Sequence, residues 1–129
     1  VAIQHSTTTR NRLRDGYVAA FPSGSSLVIR TSTPAGVGGA AGGSALATIT
    51  LPVTPLTSGT GAVTLSGSWT ATASGTGTAG HYRLTNGSDI EEGTVTATGG
   101  GGDLTLDNTS IASGQTVTVT SWTRTMPAA

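Results

Sequence analysis

The chain contains no cysteine and no lysine, and only five of its 129 residues are aromatic. The absence of cysteine excludes a disulfide framework, a cysteine-ligated zinc site and a thiol nucleophile. Six arginines balance six acidic residues, so the net charge is zero at pH 7. That balance argues against nucleic-acid binding through a broad basic patch. No apolar run approaches the roughly 20 residues that a membrane helix needs. Large apolar residues are scarce too: Leu, Ile, Val, Phe, Met, Trp and Tyr together number 29. Such a composition nears the disordered range, but disorder normally also requires high net charge, which is missing.

What is present is threonine, glycine and serine, with 26, 20 and 14 residues respectively. Threonine alternating with apolar residues suits a pleated sheet with one wet face. A domain of this length with few large apolar side chains has limited burial to offset its chain entropy. Association with other copies or with a large partner would add burial. The opening residues do not read as a signal peptide.

Residues 6–20 read as the one helix. Ser6 or one of Thr7 to Thr9 can cap it, and Leu13, Tyr17 and Ala20 fall at i, i+4 and i+7 as an apolar stripe. Phe21-Pro22-Ser23-Gly24 ends it. Residues 1–25 therefore form an N-terminal arm and helix, and residues 26–129 a single β-domain.

Within that domain Ser26–Thr31 reads as a strand with Leu27 and Ile29 on one face. Residues 34–44 hold five glycines, three alanines, a proline and Val37, which reads as a flexible loop or extended arm. Ala45–Leu51 resumes alternation, with Ile49 and Leu51 together. Val63 to Trp69 alternates as one strand, interrupted by Gly67 on its apolar face, which suits a bulge. His81–Thr85 is followed by Asn86-Gly87, a strong tight-turn signal. Ile90–Thr98 leads to four glycines, 99–102, and then to Leu104 and Leu106 on one face. Val117 and Val119 share a face in the last strand. Trp122 has the opposite parity and should face away unless the strand bulges. About seven strands with turn signals every 8–12 residues predict an antiparallel β-sandwich or jelly-roll-like barrel with one short N-terminal helix.

Candidate chemistry is sparse. The histidines are His5 and His81, and no Gly-x-Ser-x-Gly elbow precedes a helix. Neighbouring Glu91 and Glu92 point to opposite faces of a strand, which excludes a paired acid–base dyad and suggests a charged, solvated strand end. Gly99–Gly102 lacks the Lys-Ser/Thr of a phosphate loop and precedes a strand, so it reads as a conformational turn. Trp69 and Trp122 suit core or subunit-interface packing better than a carbohydrate platform. Arg10, Arg12 and Arg14 form the one basic cluster, either a solvated face or an anchor for acidic groups on a partner. Neither an enzymatic site nor a metal or cofactor site is expected.

Several stretches carry a resemblance. The opening run 2–11 (AIQHSTTTRN), the run 78–84 (TAGHYRL), the run 93–109 (GTVTATGGGGDLTLDNT) and the run 111–123 (IASGQTVTVTSWT) resemble a group of small tailed-bacteriophage virion proteins. The resemblance spans nearly the whole chain except residues 52–68. It implies a structural virion protein, with capsid decoration (cement) as the expected role on the outer head and assembly in the host cytoplasm. The implied partners are the major capsid protein and further copies of the chain, as a homodimer or homotrimer. Nucleic acid and membrane are not expected partners. Residues 1–21 would reach the shell and the 34–44 arm would pack on neighbours, making Ile3, Arg10, Arg12, Arg14, Tyr17 and Val37 the expected partner contacts. A tail, neck or fibre-associated module binding a host glycan is the alternative.

Overall fold

The computed structural model describes residues 4–53 and 55–125. Helix α1 spans Thr7–Ala20, and Ser6 caps it by accepting from the Thr9 amide at 3.2 Å. The strands are β1 (Ser26–Arg30), β2 (Ala45–Thr50), β3 (Leu56–Gly59), β4 (Ala62–Leu65), β5 (Thr70–Thr72), β6 (Gly77–Thr78), β7 (His81–Thr85), β8 (Ile90–Ala97), β9 (Leu104–Leu106), β10 (Ser110–Ile111) and β11 (Thr116–Thr125). The main sheet runs β2-β1-β7-β8-β9-β11-β4-β3, with β5 also on β11, while β6 and β10 pair separately. The sheet curls into a half-barrel with the helix packed against it. At one end Leu46 of β2 accepts from the Ser74 and Gly75 amides beyond β5. The main-β architecture with one N-terminal helix is thus as the alternation predicts. Among the described residues no helix is long and apolar enough to cross a membrane.

One pairing departs from the antiparallel expectation: β8 and β9 are parallel, with Val95 opposite Leu104 and Ala97 opposite Leu106. Parallel neighbours usually need a crossover of a dozen or more residues. Here the four-glycine run supplies a much shorter return. Gly99 and Gly101 take φ of +86° and +81°, and a Cβ on Gly100 or Gly102 would sit within 3 Å of Thr96. The backbone therefore folds tightly over Thr96, and side chains there would block it. Asp103 fastens the return by accepting from the amide and hydroxyl of Thr94.

Two further corrections concern faces. The expected single strand Val63–Trp69 is broken into β4 and β5 around Gly67, whose φ is +73°. Both halves remain on β11, at Thr123–Thr125 and Thr116–Thr118. In β11 the register slips between Val119 and Ser121. That bulge absorbs one residue, so Trp122 joins Val117 and Val119 inside, only 2% exposed. Trp69 and Trp122 stack at 5.5 Å, which makes them core and leaves no aromatic platform.

The core holds Leu27, Ile29, Ile49, Val63, Leu84, Leu104, Leu106, Val117 and both tryptophans. All five aromatic residues of the chain meet in it. Phe21, Tyr17, Trp122 and Trp69 form a chain of ring contacts at 5.2, 5.8 and 5.5 Å. The fifth, Tyr82, accepts from the Trp122 indole. Scarce large side chains are thus concentrated in one place, which suits a thin core.

Candidate functional site

The site is organised by strand β8, whose register against β7 places Tyr82 opposite Gly93, Arg83 opposite Glu92 and Leu84 opposite Glu91. Alternation sends Glu91 to the core face and Glu92 to the outer face. Neither is the solvated strand end that the sequence suggests. Their side chains are only 16% and 3% exposed. Each carboxylate ties a different segment to the sheet.

Glu91 holds the helix. It accepts from the hydroxyls of Tyr17 and Tyr82 and pairs with the Arg124 guanidinium. Arg124 also donates to Tyr82 and lies 5.2 Å from the centre of the Trp122 ring. Tyr82 fits because its partner across the ladder is Gly93, where a Cβ would lie 2.7 Å from the tyrosine ring. Burial first, then the charge of Glu91 and the hydrogen bond to it, push both tyrosine pKa values far above the ordinary one. Buried charge is tolerated here because each charged group has several partners.

Glu92 holds the glycine-rich arm. It accepts from the Gly36 amide at 2.9 Å and pairs with Arg83 at 3.2 Å. Arg83 in turn donates to the carbonyls of Gly36 and Gly39, both at 3.0 Å. Arg30 secures the arm's other root through the carbonyls of Gly42 and Gly43. The arm is therefore strapped over the outer face by its backbone groups. Beneath it His81 is wholly buried. Its Nδ1 faces the Ser32 carbonyl at 3.2 Å, while Nε2 has no hydrogen-bond partner and lies 3.8 Å from Glu92. Ser32 itself has φ +73°, the one positive φ outside glycine among the described residues. Such a conformation costs a non-glycine residue about 1–2 kcal/mol.

The predicted contact residues fall into three groups. Ile3 lies outside the described residues. Arg10, Arg14 and Tyr17 share the inward helix face. Arg14 donates to the Gly59 carbonyl at 2.6 Å, and the Arg10 guanidinium packs where a Gly61 Cβ would fall. Asn11 adds to this docking by accepting from the Gly61 amide at 2.9 Å. Arg12 is exposed, as is Val37 on the arm. The predicted apolar stripe is corrected as well. Leu13 is 44% exposed, because the helix meets the β3–β4 hairpin through polar contacts, turning Arg10 and Arg14 inward.

Arg83, Arg30, Ser32 and Arg124 escape the sequence reading, which takes Glu92 for part of a solvated strand end. The Asn86-Gly87 turn signal makes β7 and β8 partners, but a two-residue turn would set Arg83 opposite Ile90. The observed four-residue loop, with Thr85 opposite Ile90, brings Glu92 across from Arg83 instead. Among the described residues no group of three His, Cys, Asp or Glu is placed to hold a metal ion. Comparison with protein-family models, with curated proteins and with solved structures finds no match to the chain.

Proposed function

We propose that the chain is a structural virion protein of a tailed bacteriophage, a capsid decoration protein that binds the outer head across neighbouring major capsid subunits and stabilises the shell. The resemblance over nearly the whole chain motivates this reading. The observation that carries it is how the charged side chains are used. Glu91, Glu92, Arg14, Arg30, Arg83 and Arg124 all hold segments of the chain in place. None of them gathers around an open cleft. A scaffold with that economy suits a role in which surfaces are presented repeatedly rather than chemistry performed.

Two exposed features are the natural contact points: Arg12 and Leu13 on the outer helix face, and Val37 at 52% exposure on the arm. The decisive experiment is co-sedimentation with expanded heads lacking the protein, alongside isolated tails. Saturable binding to heads at a fixed ratio to the major capsid protein is expected. Arg12→Glu combined with Val37→Asp should weaken it without altering the fold. Binding to tails alone would replace this reading with the alternative.

That alternative, a tail, neck or fibre-associated module, is favoured by one feature. A shallow cleft of about 210 Å³ is lined by Thr64, Thr120, Ser121 and Thr123 with Leu65 and Trp122. A row of hydroxyl side chains along an open cleft suits hydrogen bonding to a sugar. Glycan-array binding abolished by Thr123→Val would support it.

A further inference from the structure

We propose that residues 32–41 form an exchangeable strap, which leaves the Arg83–Glu92 cradle of its own chain and is replaced there by the same segment of a second copy. The inference goes beyond the virion reading and rests on the cradle and hinge alone.

Three observations carry it. First, the cradle reads backbone only. Arg83 and Glu92 meet the Gly36 amide and the Gly36 and Gly39 carbonyls, and no arm side chain takes part. An identical arm from another copy supplies the same three groups. Second, no large side chain anchors the arm in the core. Its one large apolar residue, Val37, is 52% exposed. Third, the root of the arm is strained. Ser32 is held at φ +73° with its carbonyl facing His81 Nδ1 and pressed on Gly80, where a Cβ would lie 2.1 Å from it.

These facts fix the balance between the two states. The cradle contacts are the same within a chain and between chains, so they cancel. What remains is the entropy of association and the Ser32–His81 contact, which oppose exchange, and the hinge strain, which opening relieves. Strained hinges favour swapping for this reason. Arg30, bound to Gly42 and Gly43, keeps the second root in place, which leaves Ser32 as the pivot.

The test uses the purified full chain with no capsids, so it is independent of where the protein sits in a virion. Dimer population is measured by sedimentation velocity and native mass spectrometry over a concentration series. Amide exchange of residues 32–41 is followed in parallel. A concentration-dependent dimer is expected. Ser32→Gly removes the strain while keeping every contact, and should lower the dimer association constant at least about fivefold. Arg83→Gln with Glu92→Gln should abolish both the dimer and the protection of the arm. A chain that stays monomeric at millimolar concentration overturns the proposal. So does a dimer unchanged by Ser32→Gly, a variant that cannot fail through misfolding of the cradle.

Discussion

The helix and the glycine-rich arm are two segments tied to the same strand by adjacent carboxylates, yet they are held in different ways. The helix brings Tyr17 and Phe21 into the aromatic cluster and adds Arg14, Asn11 and Asn86 contacts along its length. The arm brings only backbone groups to Arg83 and Glu92. Burying an aromatic ring contributes on the order of 1.5–3 kcal/mol, whereas a single hydrogen bond contributes about 1 kcal/mol net. The helix is therefore part of the core, although no residue in it is fully buried. The arm is a separable layer. Two glutamates one residue apart thus anchor segments of unequal permanence, because strand geometry sends one into the aromatic cluster and the other to a polar face.

The largest loss is expected at Trp122, which touches Tyr17, Trp69, Tyr82 and Arg124. Trp122→Ala should cost about 3–5 kcal/mol in denaturant unfolding and loosen the helix with the sheet. Raising the pH attacks the same cluster. Tyr17 and Tyr82 have folded pKa values above the ordinary 10. The fold's stability is then complete below about pH 10 and falls as pH rises toward the folded values, since only the unfolded chain ionises. With both tyrosines involved the loss approaches roughly 2.7 kcal/mol per pH unit. Tyrosinate absorbance should rise together with unfolding, and Tyr17→Phe should halve the slope.

Smaller changes sharpen the contrast. Glu91→Gln leaves Arg124 without its carboxylate and should cost about 2 kcal/mol, with amide exchange accelerating in residues 7–20 while the arm stays protected. Glu92→Gln should do the reverse. The arm's exchange should quicken at least tenfold, while global stability changes by less than about 1 kcal/mol, as expected for a locally opening segment. Simultaneous loosening of both segments in either variant would contradict their independence.

Much of this was legible in the residues. A helix cap among Ser6 to Thr9, strands at Ser26–Thr31 and His81–Thr85, the inward Leu27, Ile29, Val117 and Val119, and a turn at Asn86-Gly87 all follow from local pattern. The candidate site was less so. Arg10, Arg14 and Tyr17 drew notice for their spacing, but their partners Gly59, Gly61 and Glu91 lie far along the chain. The Arg83–Glu92 pair depends on a four-residue loop where the Asn-Gly signal implies two, so the turn alone does not yield it.

Local sequence by itself determined which segments extend, which turn and which helix forms, because backbone propensity and side-chain alternation act over a few residues. It also determined that glycines 99–102 form a turn. Tertiary structure alone decided that this turn brings β9 back parallel to β8. It decided that a bulge returns Trp122 to the core, that Leu13 faces solvent while Arg14 faces inward, and that two glutamates are largely withdrawn from solvent. Each of those depends on register between distant strands and on whether a charge finds enough partners to leave water. Neither quantity is written in any short stretch of the chain.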